Sequence, residues 1–368
     1  MSSSVASMPA SRSAPSSPPV PAGPCRVECL DTTRERDWDV FVRSHPEGTL
    51  FHTSSWRRAV EEVFPHEPVY LTARRGTRLV GVLPMFLVNS RLAGRMLVSV
   101  PYGVGGGILA EDGEAAERLF VEARAVAEEA GCRSIDFRSE RAQVPSLPVV
   151  ETYAGFKRTL PERVEDVLGF LPRKARAAAR HARDRYRLTA VYGDEHLHEV
   201  WRLYALNMRR LGSIVYPPAF FRRLVAHTPG KHWVMLVRWG NRPVAGLLTF
   251  LFRDTAMPYF FGCTPEARRC HAANFTYLKT MERAVAAGYR QFDFGRSRRD
   301  NPGSFNFKRF QGFEPRPLGY QVWTPPGRTP PDLSPTQKRI RFARRIWRHL
   351  PLWMTNRLGA WASKHIPG

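Results

Sequence analysis

Residues 232–252, HWVMLVRWGNRPVAGLLTFLF, decide the fold, because an earlier stretch has the same design. Residues 68–88 read PVYLTARRGTRLVGVLPMFLV. An offset of 164 puts Gly76 on Gly240, Arg78 on Arg242, Val80 on Val244, Leu83 on Leu247 and Phe86 on Phe250. Each copy reads as two strands around a glycine turn. A second match follows in the same order, with EEAGCRSIDFRS (128–139) on VAAGYRQFDFGR (285–296). There Gly131 falls on Gly288, Asp136 on Asp293 and Phe137 on Phe294. Two matches in one order imply a duplicated α/β unit.

Outward from the repeats, the chain divides into segments. Residues 1–24 are Ser, Pro and Ala with almost no large apolar side chains, the composition of a disordered leader without a secretory core. Structure is expected from Cys25, with helices at Thr33–Arg43 and Ser54–Val63. LVSVPYGVGGGIL (97–109) reads as a strand pair with a glycine-rich junction, and the segment before Gly131 as a helix. Between the copies, residues 171–187 (LPRKARAAARHARDRYR) read as an arginine-studded helix after Pro172. Residues 324–335 read as a linker before a tail, 335–368, that contains no acidic residue. On a helix over Ile340–Leu350, Arg341, Arg344, Arg345 and Arg348 share one face, and Phe342, Ile346 and Trp347 lie opposite. That segregation suits a helix in an anionic membrane interface, or one docking its apolar face on the protein.

With 43% hydrophobic and 24% charged residues, the chain can bury a large core, which excludes a disordered protein or a small disulfide scaffold. The longest apolar run, Val80–Val88, is interrupted by Pro84 and falls well short of the ~20 residues needed to span a bilayer. Five cysteines without paired spacing suggest a reduced, cytoplasmic compartment. The formal net charge is +23, distributed as −2 over residues 1–155 and +25 over 156–368. The C-terminal part therefore calls for an anionic partner.

Several chemistries lack their motifs. PYGVGGG (101–107) has neither the spacing nor the following helix of a dinucleotide loop, so its glycines read as a turn or bulge, with Tyr102 placed to line a pocket. Cysteine and histidine spacing offers no metal site. Neither G-x-S-x-G nor H-E-x-x-H occurs. Two stretches remain. In ARRCHAANFTYLK (267–279), a helix is expected to start near Asn274 as N-cap, with Arg268 and Arg269 beside it to receive an anion. A plain capped helix on a basic surface is the alternative. In FDFGRSRRDNPGSFNFKRFQGFEP (292–315), a strand ends at Asp293, and Lys308 stands among Phe305, Phe307 and Phe310. Lys308 is the candidate for phosphate contact or for opposing an oxyanion, against a surface lysine with its stem on aromatics. Asp293 is a candidate for proton transfer, against a structural role suggested by its twin Asp136.

The motifs FHTSSW (51–56), VGVLPMFLV (80–88), LVSVPYGVGGG (97–107), IDFRSE (135–140), LYALNMRRLGSIVYPPAFF (203–221), FDFGRS (292–297) and FKRFQGFEP (307–315) together resemble the FemAB-like acyltransferases of the GNAT superfamily. They look most like the subgroup found with PEP-CTERM exopolysaccharide loci, and span about residues 26–323. The resemblance implies an α/β fold of two tandem GNAT-like domains with mixed sheets: 25–155, and 156–325 with its basic helical segment, followed by a linker and basic amphipathic tail over 326–368. It implies transfer of an acyl or aminoacyl group to an amine or hydroxyl of a cell-envelope or exopolysaccharide precursor. The donor would be acyl-CoA or aminoacyl-tRNA, with no tightly bound cofactor. It places Lys308 near the reacting groups, Arg296 and Ser297 in the same cleft, and Asn207, Arg209 and Arg210 toward the acceptor. The GNAT pyrophosphate loop, [QR]-x-x-G-x-[GA], has as its nearest counterpart Arg269–Asn274, which lacks both glycines. The rival expectations are a non-enzymatic nucleic-acid-binding protein or a peripheral membrane protein held by residues 335–368.

Overall fold

The computed structural model describes residues 23–328 and 338–367. Most of the expected leader and most of the linker lie outside the described residues. The first part of the chain gives β1 (Arg26–Cys29), α1 (Glu35–Ser44), α2 (Ser54–Glu61), β2 (Glu67–Arg75), β3 (Arg78–Ser90), β4 (Gly94–Ser99), β5 (Leu109–Ala110), α3 (Gly113–Glu129) and β6 (Ser134–Phe137). Next come β7 (Tyr153–Thr159), α4 (Val164–Phe170), α5 (Arg173–Arg180), a π turn over His181–Arg185, β8 (Thr189–Tyr192), α6 (Leu197–Leu211) and α7 (Pro218–His227). The rest is β9 (His232–Trp239), β10 (Arg242–Phe252), β11 (Thr255–Cys263), α8 (Ala272–Ala286), β12 (Gln291–Arg298), α9 (Pro302–Phe310), β13 (Arg316–Pro317), β14 (Gln321–Trp323), α10 (Lys338–Trp347) and α11 (Leu352–Ser363).

These elements build two mixed sheets. One has the order β1-β2-β3-β4-β6-β14 with β5 on β3, the other β13-β7-β12-β11-β10-β9-β8. The sequence repeats are the backbones of the two sheets. Gly76 and Gly240 turn the β2–β3 and β9–β10 hairpins at φ 59° and 56°, a region glycine enters without steric cost. Gly131 and Gly288, at φ 64° and 81°, end α3 and α8 before the parallel strands β6 and β12.

The sheets face each other across one core. Trp38 and Trp56 from α1 and α2, Phe86 from β3, Tyr204 from α6, Phe220 and Phe221 from α7, and Phe250 and Phe260 from the second sheet form one cluster. Trp56 meets Phe250 edge-on at 6.2 Å, so the two copies share an interior. The outer face of the first sheet is covered by α3, and that of the second by α4, α5 and α8. Tight helix-on-sheet packing sets β11 in place. A Cβ on Gly262 would stand 2.1 Å from the Tyr204 amide nitrogen of α6. Gly262→Ala therefore forces α6 off β11. A loss of about 3 kcal/mol is expected in urea denaturation, whereas Gly113→Ala, with open space around it, should leave the midpoint nearly unchanged.

Candidate active site

The cleft begins where two parallel strands part. β11 and β12 pair only at Thr255↔Gln291 and Ala256↔Phe292, then diverge. Beyond that point β11 keeps its ladder to β10, and β12 its ladder to β7, bulged between Asp293 and Arg296. The gap opens into a cavity of about 770 Å³ lined by Pro258–Phe261 and Phe294–Arg296 among others. The first sheet handles the same divergence differently. Past Val98↔Asp136, the Ser99 hydroxyl donates to the Gly106 carbonyl and accepts from the Arg138 amide. Gly106 lies so close that a Cβ would stand 2.2 Å from Val100. The glycine-rich stretch is thus the plug of the first copy's gap.

α8 starts at the cleft. The helix expected near Asn274 begins earlier, at Ala272, and its cap is His271, left-handed at φ 53°. Asn274 sits in the first turn, and no side chain caps the end. The early correction has a steric reason: the left-handed turn at His271 already redirects the chain into the helix. Arg268 and Asn274 line the cleft beside this uncapped end, whereas Arg269 does not. Free first-turn amides carry the positive end of the helix dipole and suit an anion. Behind them, α5 and the π turn pack on α8, with His181 6.1 Å from His271. Arg173, Lys174, Arg180, Arg185 and Arg187 of this segment are exposed.

Lys308 lies on the cleft wall, 8% exposed. Its Nζ donates to the carbonyls of Phe294 at 2.7 Å, Gly295 at 3.2 Å and Arg296 at 2.9 Å. Its three N–H bonds therefore hold the β12 bulge, and none is directed at a phosphate. Burial draws its pKa down from the usual 10.5 to about 7, against the pull of nearby Asp293, while Arg296 adds to the fall. Asp293 is absent from the lining; its carboxylate accepts from the Gly295 amide at 2.7 Å. Burial raises its pKa.

Arg296 does line the cleft. Its guanidinium lies over Tyr153 at 4.3 Å and Tyr320 at 5.4 Å, and among the described residues no carboxylate pairs with it. Ser297 faces away, its hydroxyl bonded to that of Ser304 at 2.9 Å. Asn207 and Arg210, three apart on α6, share a face on the cleft and bond to each other at 2.7 Å. Arg209 is turned away by helical spacing and donates to the Leu350 carbonyl at 3.2 Å. Tyr102, at φ 63°, lines the cleft from the first copy, and its carbonyl accepts from the Tyr259 hydroxyl. The cleft thus brings together Tyr102, Asn207, Arg210, Arg268, Asn274, Arg296 and Lys308. Sequence reasoning missed Tyr153, Tyr320 and Tyr216. Tyr216 stood in a quoted motif, but the other two reach Arg296 from distant strands and left no local signal.

Residues 171–309 match the acetyltransferase (GNAT) domain family. No curated protein matches the chain. Among solved structures it is similar to FemX, at TM-score 0.62 and 14% identity, over 82% of this chain and 97% of that one. It is also similar to a tandem GNAT protein from the clavulanic acid biosynthesis pathway, at TM-score 0.54 and 13% identity, over 82% and 98%. L-PGS from Bacillus licheniformis aligns at TM-score 0.53 and 13% identity, over 88% and 99%. The fold is therefore that of tandem GNAT proteins, as the FemAB-like resemblance implied and in agreement with the repeats.

The lysine gives a pH test. The unfolded chain keeps Lys308 protonated up to its usual 10.5, whereas the folded chain releases the proton near 7. Between those values the unfolded state binds more protons, so stability rises with pH. Chemical denaturation at pH 6 and pH 9 should show wild type gaining on Lys308→Met as pH rises. A constant difference would refute the buried titration.

Proposed function

We propose that this chain is an acyltransferase that takes its acyl group from acyl-CoA. The observation that carries the reading is the parting of β11 and β12 beside an uncapped helix start. An extended, amide-bearing pantetheine chain fits between the strands as a substitute partner for their main-chain groups. The pyrophosphate would then meet the first-turn amides of α8, with Arg268 and Asn274 alongside. Without the glycines of the usual loop, the charge of Arg268 takes on more of that contact.

The acceptor, an amine or hydroxyl, enters from the side of Asn207, Arg210 and Arg296. Its lone pair attacks the thioester carbonyl carbon, and a tetrahedral oxyanion forms. The C–S bond then breaks, and the sulfur leaves as the thiol, taking up the proton that the acceptor gives up. Positioning of the two substrates supplies much of the acceleration. The bulged main chain of β12, fixed by Lys308, is the preorganised wall on which the carbonyl rests. Lys308 is thus a positioning residue in this scheme, and Asp293 stiffens the same bulge through Gly295. Arg296, a cation without a carboxylate partner, favours an anionic acceptor. A cell-envelope or exopolysaccharide precursor fits that requirement, in line with the FemAB-like motifs and the PEP-CTERM subgroup they resemble.

A second reading has its own observation. The exposed cations Arg173, Lys174, Arg180, Arg185 and Arg187 belong to the segment that packs on α8 and add further positive charge to this side of the fold. They favour aminoacyl-tRNA as donor. Calorimetric titration separates the two. Acyl-CoA is expected to bind at moderate salt, and Arg268→Gln to weaken it about tenfold or more. Binding of aminoacyl-tRNA alone would select the second donor. If neither binds above low salt, the cleft assignment fails.

A further inference from the structure

The tail helices are held in an inverted orientation. Arg344 turns inward, its Nε donating to the Gly212 carbonyl at 3.1 Å and its Nη2 to the Leu211 carbonyl at 3.0 Å. Arg348 reaches the same Leu211 carbonyl. These carbonyls end α6, where the helix dipole is negative and a cation is favoured. Docking through Arg344 and Arg348 leaves Phe342 66% and Ile346 48% exposed. The alternative of an apolar face docked on the protein is corrected for these two residues.

α11 repeats the inversion. Apart from Leu352 at its start, which packs against the core, its buried residues are small and polar: Thr355, Gly359 and Ser363. A Cβ on Gly359 would stand 3.0 Å from the Val215 backbone, so the helix lies close against the segment after α6. Outward stand Trp353 at 61%, Leu358 at 43% and Trp361 at 47% exposed. Arg357 and Lys364 share that face, and Arg341 and Arg345 are exposed on α10. Residues 338–367 contain no acidic side chain. The C-terminal end is fastened too: the Ser363 and Pro367 carbonyls accept from the hydroxyl and amide of Tyr102, and the His365 carbonyl from Ser90. No described helix is long and apolar enough to cross a membrane.

We propose that α10 and α11 form a docking face for an anionic phospholipid surface. The argument is charge complementarity around an apolar patch. Two tryptophans, a phenylalanine, an isoleucine and a leucine face outward, interleaved with cations and free of acids. This composition buries in the headgroup region and holds phosphate. A partner protein surface would have to be strongly acidic and apolar at once. The face is joined to the C-terminal end of α6 through Arg209, Arg344 and Arg348, and its role does not depend on the transfer reaction proposed above.

Flotation of the full chain with vesicles of phosphatidylglycerol and phosphatidylcholine, against phosphatidylcholine alone, tests the assignment. Wild type should float with the anionic vesicles only. Trp353→Ser/Trp361→Ser should lose most of the bound fraction. Arg341→Gln/Arg345→Gln/Arg357→Gln should weaken partitioning about hundredfold. Both variants change exposed side chains, and an unchanged thermal melt will show that they fold. Failure of wild type to float, or equal flotation of the tryptophan variant, overturns the proposal. So does a dimer in sedimentation that the tryptophan variant abolishes, since a second copy would then be what covers the face.

Discussion

The bulge of β12 is the constraint on which the cleft depends. Three successive carbonyls, Phe294 to Arg296, converge on one ammonium. A strand in an ordinary ladder would direct alternate carbonyls to opposite sides. Gathering three requires the register shift against β7 and the positive φ of Gly295. The same distortion carries β12 away from β11, so the gap and the lysine are one feature. Burying that lysine is costly, and the cost is offset by the carbonyls and by Asp293 nearby. The pKa lowered by burial measures what remains uncompensated.

The aromatic surroundings follow from the same bulge. Arg296 projects from it into the cleft and is met by Tyr153 of β7 and by Tyr320 just before β14. Tyr320 also donates to the Val104 carbonyl, which ties the first copy to the wall. A guanidinium over tyrosine faces is held without a carboxylate, so its charge remains available to a ligand. The cleft wall is thereby built from both copies, with Tyr102 and Val104 from one and β11, β12 and α8 from the other.

The duplication was legible because its landmarks are glycines that geometry demands. Gly76 and Gly240 must turn hairpins, and Gly131 and Gly288 must end helices, so all four survive as a pattern in the chain. Lys308 was legible from the phenylalanines around it, and Arg296 through the FDFGRS motif of the FemAB-like resemblance. The parts that were not legible depend on long-range meetings. Tyr153 and Tyr320 approach Arg296 only through strand pairing across the second sheet and the return to the first. The start of α8 depends on a left-handed His271, which the sequence pattern does not distinguish from a turn. The helical wheel of the tail sorted arginines from apolar side chains, but a wheel does not say which of them turn inward: Arg344 does, whereas Arg341, Arg345, Phe342 and Ile346 are exposed. The carbonyls at the end of α6 decide that, and they belong to a helix more than a hundred residues earlier.

The two gaps show how the two copies of one unit came to differ, one closed and one open as a cleft. In both sheets a parallel strand pair begins in register and then diverges, because the preceding strand keeps to its hairpin while the next follows its helix. A divergence exposes main-chain groups that need partners. In the first copy the chain supplies them itself: Ser99, Gly106 and Arg138 close the gap, and the glycines let the backbone approach. In the second copy the corresponding space is left to the cavity, and Lys308 satisfies only the carbonyls on one side. With its own gap closed, the first copy presents Tyr102 and Val104 to the cleft of its twin. Among the described residues, the open copy is where the backbone's unmet demand, the uncapped helix start and a guanidinium without a carboxylate partner face the same volume. That coincidence is what supports the proposal that the second unit, rather than the better-satisfied first, carries the chemistry.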